Sequence, residues 1–168
     1  IASMGIREIE VYDDTFTWSK QRLIEICEGI IDRGLDLDWA IRDRVSSPTP
    51  ETMELLARAG CRRIHFGIES GSNKTLERIK KAINVDQAIE AVRLAKQNGI
   101  EVLTYFMLGL PGETLADMRE TAAFAKRLDP DYATFSVTVP YAGTAMYEEG
   151  LSSGVIPVDY WSQYATHP

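Results

Sequence analysis

Short apolar or β-branched runs alternate along the chain with longer segments of helical periodicity. This alternation is typical of repeated βα units and of a parallel sheet. The runs predict five strands, over Glu8–Tyr12, Asp38–Arg44, Arg63–Gly67, Glu101–Leu108 and Tyr132–Val137. The pattern leaves two architectures open, because parallel strands joined by right-handed crossovers form either an open doubly wound sheet or a curved, barrel-like wall.

Residues that begin and end helices lie between these strands. Ser19 is a suitable N-cap for the first helix, and Thr49 followed by Pro50 is suitable for the second. Further helices are predicted over Asn73–Lys80, over Val85–Asn98, and after Thr114. We therefore expect one α/β domain over residues 1–147, followed by an irregular tail, or the start of an interrupted element, over residues 148–168.

Composition narrows the classes of function. The chain has 168 residues, 45% of them hydrophobic, which is enough for one sizeable core. Its 18 basic and 25 acidic residues give a net charge of −7, which argues against a nucleic-acid or membrane-surface partner and favours a small-molecule substrate. No apolar stretch approaches the roughly 20 residues that cross a bilayer.

The number of cysteines indicates the cellular compartment, and the first residue bears on whether the chain is part of a longer protein. Cys27 and Cys61 are the only cysteines, so a disulfide framework is excluded and a reducing, cytoplasmic location is expected. Both fall at positions typical of core residues. The chain begins at Ile1 and not at a methionine, so we expect a piece of a longer protein.

A polar or glycine-rich loop follows each predicted strand, over residues 12–17, 42–44, 67–72, 109–114 and 140–144. Ligand sites in β/α proteins are built at the carboxyl ends of the strands, where such loops converge. The five loops together predict a composite binding site. Taken singly, each loop is better explained as a turn or a helix cap, because such turn chemistry is common.

Charged side chains in these loops are the first candidates for binding. Glu69 follows an apolar strand end among small residues, and a carboxylate there can accept two hydroxyl hydrogen bonds, as a ribose presents them. Asp13 and Asp14 suit a cation or an ammonium group, or form an Asx turn. His65 shares the strand parity of Glu69 and is a candidate for the same face.

Arg42 and Arg44 are two residues apart and would share one strand face. Two guanidinium groups there suit a carboxylate or a phosphate in the lumen of a barrel. The alternative is a salt bridge to Asp13, Asp14 or Glu69.

Five segments in their order resemble the radical S-adenosylmethionine (SAM) superfamily. They are Asp13–Thr17, Ala59–Cys61, Gly67–Ser72, Gly109–Thr114 and Pro140–Thr144. The match in order and spacing extends over residues 6–147. It is closest to the branch that often carries an N-terminal cobalamin-binding domain, and it is also similar to the methylthiotransferase branch.

The resemblance implies a partial β/α barrel whose five strands correspond to family strands two to six, with the first βα unit missing. The Cys-x-x-x-Cys-x-x-Cys loop that binds a [4Fe-4S] cluster in the family is absent, so we expect that loop upstream of Ile1. No metal ligand and no activity are then expected in the isolated chain, and its open barrel edge is a candidate surface for self-association.

By the same resemblance, the intact enzyme cleaves SAM reductively to a 5′-deoxyadenosyl radical. Methyl transfer, methylthiolation and oxidative cyclisation are the implied overall reactions. The implied cofactors are SAM and a [4Fe-4S] cluster, with cobalamin bound by an upstream domain. A reductant protein is the implied partner.

The resemblance also assigns residues to SAM. Asp13 and Asp14 correspond to the motif that meets the amino group, Glu69 to the ribose-binding residue, and Lys81 to a basic position that pairs with the carboxylate. The remaining implied contacts, which include those around adenine, are Arg44, Ser70, Gly109, Leu110, Pro111, Val137 and Thr138.

Two other classes of function fit parts of the sequence. One is a conventional β/α protein that binds a nucleotide or phosphate ester through Gly67–Ser72 and Gly109–Thr114, although neither loop has a full Gly-x-Gly-x-x-Gly or Gly-Lys-Ser signature. The other is a non-catalytic scaffold in which the loops serve folding or association. A cysteine triplet directly upstream in the intact protein would favour the radical SAM interpretation.

Overall fold

The computed structural model describes residues 2–166. Two 3₁₀ turns, over Ala2–Met4 and Phe16–Trp18, accompany the regular elements. The strands are β1 (Glu8–Glu10), β2 (Asp38–Asp43), β3 (Cys61–Glu69), β4 (Glu101–Leu108) and β5 (Tyr132–Val137). The helices are α1 (Lys20–Asp32), α2 (Pro50–Arg58), α3 (Asn73–Arg78), α4 (Val85–Gln97), α5 (Leu115–Leu128), α6 (Ala145–Ser152) and α7 (Tyr160–Thr166).

The five strands form one parallel sheet, which curls into a half-barrel. Their spatial order is β1-β2-β3-β4-β5, so every strand lies beside its neighbours in sequence. A doubly wound sheet reverses its strand order at a switch point, whereas a barrel wall adds strands in one direction. The sequential order therefore resolves the alternative that the sequence left open, and the predicted partial β/α barrel is confirmed.

The two faces of the sheet differ in polarity. Ile41, Ile64, Phe66 and Val102 are completely buried and belong to the hydrophobic core that the helices cover. Side chains of the opposite parity, on the concave lumen face, are largely polar. The polar ones are Glu8, Glu10, Arg42, Arg63, His65 and Tyr105, and the apolar Ala40, Leu103 and Met107 share the face. Because side chains alternate along each strand, the sheet separates the packed core from the more polar lumen face.

Strand β3 is irregular near its carboxyl end. Its register against β4 shifts between Gly67 and Glu69, so Ile68 is the extra residue of a bulge. Glu69 adopts a left-handed backbone conformation, with φ of 73°. Bulges of this kind redirect side chains next to functional sites.

The observed strand ends differ from the predicted ones at three places. β1 ends at Glu10, so Tyr12 lies in the loop, and β2 ends at Asp43, which leaves Arg44 outside the strand. β3 is longer than predicted at both ends and includes Cys61 and Glu69. These shifts follow the hydrogen-bonded register between strands, which local composition does not encode.

The chain divides into two compact units, residues 1–136 and 137–168. The second unit contains α6 and α7, in the part of the chain where the sequence predicted an irregular tail or the start of an interrupted element from residue 148. The Tyr147 hydroxyl donates to Asp159 at 2.6 Å, and Asp159 also accepts from the backbone N–H of Ser162 at 3.0 Å. The Asp159 carboxylate therefore connects the two helices. His167 and Pro168, the end of that stretch, lie outside the described residues.

Candidate functional site

Glu69 and Lys81 form an ion pair at the carboxyl end of β3. Lys81 Nζ donates to Glu69 Oε1 at 2.8 Å, and the two side chains are 28% and 19% exposed, respectively. Gly67 lies directly beneath the pair, where a Cβ would be 2.9 Å from Glu69 Oε1 and 3.3 Å from Lys81 Nζ. Two residues predicted to bind SAM are thus adjacent, and the absence of a side chain at Gly67 makes room for them.

The next residues of this loop are anchored to helix α5. Ser70 is fully buried, and its hydroxyl lies 3.1 Å from that of Thr121. The Gly71 N–H donates to Thr121 Oγ1, and a Cβ at Gly71 would lie 2.5 Å from Phe124 Cβ. The Ser70 side chain, predicted to contact SAM, is therefore engaged with α5, and the small size of Gly71 serves packing against that helix.

The loop after β1 holds the two predicted aspartates in different settings. Asp13 Oδ2 is 2.5 Å from Arg22 Nη2 of α1, whereas Asp14 is exposed. Arg44 is also exposed, directly after β2. Within residues 2–166, neither Arg42 nor Arg44 forms the predicted alternative salt bridge to Asp13, Asp14 or Glu69.

Asp43 is a site residue that the sequence did not single out. It is buried, it accepts from Thr17 Oγ1 at 2.9 Å, and it accepts from the backbone N–H of Arg44 at 2.8 Å. Burial raises the pKa of its carboxyl group, and the hydrogen bond from Thr17 opposes that rise. Asp43 thus connects the end of β2 to the Asp13–Thr17 loop. Asp43 lies two residues after buried Ile41 on the same strand, so its side chain is on the core-facing side. This position could have indicated the residue from sequence, because a carboxylate that faces the core requires hydrogen-bond partners.

The Gly109–Thr114 loop is held by its own carboxylate and by α3. The Leu110 N–H donates to Glu113 Oε2 at 2.9 Å, and Pro111 O accepts from Arg78 Nη1 at 3.2 Å. Leu110 is buried, while Gly109 is exposed, with φ of 78° and open space beside its Cα. Of the three residues predicted to surround adenine here, Gly109 leaves the most room for a ligand.

Val137 and Thr138, the other predicted adenine contacts, belong to the second unit. Val137 is 75% exposed. Thr138 Oγ1 is buried and has no hydrogen-bond partner within residues 2–166.

The cysteines do not fit an iron–sulfur cluster. Cys27 on α1 and Cys61 on β3 are buried in the core, and burial raises the pKa of their thiols to about 11 and about 12. Cluster ligation requires thiolates. In the described part of the chain, no group of three His, Cys, Asp or Glu side chains is arranged to hold a metal ion. Helices long and apolar enough to cross a membrane are likewise absent from residues 2–166.

A second polar group lies farther from the loops on the lumen face. The lumen cluster consists of Glu10, Arg42, His65 and Tyr105. Arg42 Nη2 donates to Glu10 Oε1 at 3.2 Å, and His65 Nδ1 is 3.0 Å from the Tyr105 hydroxyl. Burial lowers the pKa of His65, and the nearby cations Arg42 and Arg63 lower it further, against the opposite effect of Glu10. Burial therefore favours the neutral form of the His65 imidazole.

Comparisons of the chain with known proteins agree on one family. Residues 2–125 match the model of the Radical SAM superfamily. The chain is 40% identical over 162 residues to an uncharacterised methyltransferase of Pyrococcus horikoshii, a match that covers 96% of this chain and 35% of that protein. It is 29% identical over 139 residues to an anaerobic magnesium-protoporphyrin IX monomethyl ester cyclase of Rubrivivax gelatinosus, which covers 82% of this chain and 25% of the cyclase.

Two solved structures extend the match. One is the radical SAM methyltransferase TsrM from Kitasatospora setae with cobalamin and a [4Fe-4S] cluster bound, at a TM-score of 0.75 and 25% identity, over 83% of this chain and 27% of TsrM. The other is the cobalamin-dependent SAM radical enzyme OxsB with aqua-cobalamin and SAM bound, at a TM-score of 0.66 and 26% identity, over 93% of this chain and 24% of OxsB. The chain thus spans about a quarter to a third of these relatives.

Proposed function

The chain belongs to the radical SAM superfamily, and from this premise we propose that the intact protein is a radical SAM methyltransferase that binds SAM at the carboxyl ends of these strands. The observation that carries the proposal is the Glu69–Lys81 pair above Gly67. The two side chains predicted for the ribose and the carboxylate of SAM lie together, on the lumen side of a bulged strand end. Ligand sites in parallel β/α folds occupy this edge.

The family uses SAM and a [4Fe-4S] cluster. When bound, the reduced cluster supplies the electron that cleaves SAM to a 5′-deoxyadenosyl radical. The buried thiols of Cys27 and Cys61 do not fit the cluster, so we propose that the intact protein holds it on cysteines outside this chain. Because TsrM and OxsB contain cobalamin, we propose a cobalamin-binding domain in the intact protein as well.

The residues of this chain bind and orient SAM in the proposal. Glu69 accepts hydrogen bonds from the ribose hydroxyls, and Lys81 pairs with the SAM carboxylate. Each of them gives up its present partner for a group of the ligand, so the number of charge-assisted contacts is maintained. Asp13 or Asp14 receives the ammonium group, and Gly109 leaves room beside the adenine. The contacts of Arg44, Ser70, Val137 and Thr138 stay predictions.

Methyl transfer is favoured among the possible overall reactions because the relative from Pyrococcus horikoshii and TsrM are both named methyltransferases. Methylthiolation and oxidative cyclisation are the alternatives, the latter represented by the Rubrivivax gelatinosus cyclase. We propose a small-molecule substrate, a reductant protein as electron donor and a cytoplasmic location. The isolated chain is proposed to be inactive.

The test uses the intact protein, purified anaerobically and reconstituted with iron and sulfide. Incubation with SAM and dithionite is expected to release 5′-deoxyadenosine or S-adenosylhomocysteine, whereas the isolated chain treated in the same way releases neither. A reconstituted intact protein that contains four irons and still consumes no SAM would contradict the proposal. Iron retained by the isolated chain at near-stoichiometric level would contradict its inactivity.

A further inference from the structure

We propose that the lumen cluster is a substrate subsite that binds an uncharged carbonyl oxygen, such as that of an amide or a ketone, between Arg42 and His65. The inference rests on the proposed function, because it takes the lumen as the chamber for the substrate. It assigns a chemical class to the part of the substrate that lies farthest from SAM.

Two buried nitrogen atoms of the lumen cluster have no hydrogen-bond partner in the described part of the chain. Arg42 Nε and His65 Nε2 are both buried, and neither has a hydrogen-bond partner among residues 2–166. His65 as a whole is only 7% exposed. A buried polar atom without a partner costs about 1–3 kcal/mol, and such atoms in native proteins call for an explanation. A ligand oxygen would supply the missing acceptor.

The two nitrogens belong to side chains on neighbouring strands, at paired positions. Arg42 and His65 are register partners on the parallel strands β2 and β3, so both side chains leave the sheet on the lumen face. A cavity of about 270 Å³ lies beside His65, and its lining on that face includes Glu10, Arg63 and His65. Four residues at about 3.3 Å each separate His65 from Glu69 along β3, so the cavity lies roughly 13 Å from the proposed SAM site.

The assigned tautomer of His65 makes Nε2 a donor, as Arg42 Nε already is. The Tyr105 hydroxyl has no hydrogen-bond partner other than His65 in the described part of the chain. In the proposal this hydroxyl donates to Nδ1, and the neutral imidazole then carries its hydrogen on Nε2. Arg42 Nε is always a donor. The subsite therefore requires an acceptor from its ligand.

The charges around the cluster select an uncharged acceptor. Arg42 is already paired with Glu10, and Arg63 Nη2 is paired with Glu101 at 2.7 Å. A carboxylate or phosphate would enter beside the Glu10 carboxylate, and the guanidinium groups of Arg42 and Arg63 are already paired, so it would meet like-charge repulsion. A carbonyl oxygen accepts both hydrogen bonds without this cost.

Aromatic rings surround the same position. The Arg42 guanidinium stacks on the Tyr12 ring at 4.0 Å, and the His65 and Tyr105 rings meet edge to face at 5.9 Å. Tyr12 itself is 71% exposed. The surroundings therefore suit a carbonyl attached to a planar group.

The test compares benzamide with benzoate, which have the same ring and nearly the same shape but differ in charge. The chain, labelled with ¹⁵N at histidine, has two imidazoles, so the His65 ring signals are assigned by their loss in His65→Phe. Benzamide is expected to shift the Nε2 signal saturably, with an affinity about tenfold above that of benzoate, the equivalent of roughly one hydrogen bond. Arg42→Gln is expected to weaken benzamide binding by a similar factor.

Arg93→Gln is the matched control, because Arg93 is an exposed arginine on α4 that pairs with Glu90, and it should leave benzamide binding unchanged. Equal or tighter binding of benzoate would overturn the proposal, as would a His65 signal that benzamide does not shift. Should His65→Phe fail to fold, Arg42→Gln still decides the outcome. None of these measurements involves SAM, so loss of SAM cleavage by the intact protein would contradict the proposed function and leave the subsite standing.

Discussion

Glu69 and Lys81 meet above Gly67, with the carboxylate oxygen and the ammonium nitrogen 2.8 Å apart. Both side chains are partly buried, and because they pair with each other, each charge is compensated before any ligand is present. A ligand that brings both hydroxyl groups and a carboxylate can satisfy the two residues at once. A ligand with only one of these groups would leave the other residue unpaired.

Replacement of Glu69 by Gln is expected to weaken SAM binding to the reconstituted intact protein about tenfold to hundredfold. The substitution keeps the shape and removes the charge, and charge-assisted hydrogen bonds contribute about 1.5–3 kcal/mol. Isothermal titration measures the affinity, and Glu77→Gln, at an exposed position on α3, is the control. Unchanged affinity with a large fall in melting temperature would mean that Glu69 is a structural carboxylate.

A methyl group at Gly67 is expected to disturb the ion pair and to leave the fold intact. The Cβ of Gly67→Ala would be 2.9 Å from Glu69 Oε1, and the tips of Glu69 and Lys81 can move to relieve this contact. SAM affinity should fall about tenfold while the melting temperature changes little. Gly29→Ala is the control, since its Cβ would also be 2.9 Å from a flexible side-chain tip, that of Arg33. An unchanged affinity would argue against a role of the pair in binding.

Gly71→Ala is expected to destabilise the fold. Its Cβ would lie 2.5 Å from Phe124 Cβ and 3.0 Å from Thr121 Cα, so the helix α5 itself would have to shift. Overpacking of this kind costs about 1–3 kcal/mol. Urea unfolding of the chain measures it, with Gly29→Ala again as reference. A variant of normal stability that loses SAM affinity would instead assign Gly71 to the ligand.

The two thiols are expected to resist alkylation in the folded chain. Burial raises the pKa of Cys27 to about 11 and of Cys61 to about 12, so almost no thiolate is present at pH 8. Treatment with iodoacetamide followed by mass spectrometry should find both cysteines unmodified, and both modified after denaturation in urea. Rapid modification of either cysteine under native conditions would contradict its place in the core.

Strand composition and helix-capping residues in the sequence predicted strand bounds and helix starts correctly where these depend on neighbouring residues alone. The strand Tyr132–Val137 has its predicted bounds, and Thr49 and Thr114 cap helices through capping boxes. No helix was predicted over Tyr160–Thr166 because the segment is rich in aromatic residues, which are weak helix formers. The connection between α6 and α7 depends on the Tyr147–Asp159 hydrogen bond, twelve residues apart.

The candidate site depended more on register than on composition. Parity predicted that His65 and Glu69 share a face, but the alignment of Arg42 with His65 requires the pairing of β2 with β3. The room next to Glu69 was expected at Gly71 and Ser72, whereas Gly67 provides it and Gly71 packs on α5. Which glycine faces the ligand depends on the bulge, and no local pattern in the sequence indicates that bulge.

The left-handed backbone conformation of Glu69 would mislead a redesign of the protein for stability. A non-glycine residue at φ of 73° carries a backbone penalty of about 1–2 kcal/mol, so Glu69→Gly removes the strain and Glu69→Asn lessens it. A stability-guided redesign would therefore select one of these substitutions and report an improved protein. The improvement would come from discarding the carboxylate that we propose holds the cofactor. Thermostability and SAM affinity should thus move in opposite directions at this one position, and screens for activity need to hold residue 69 fixed.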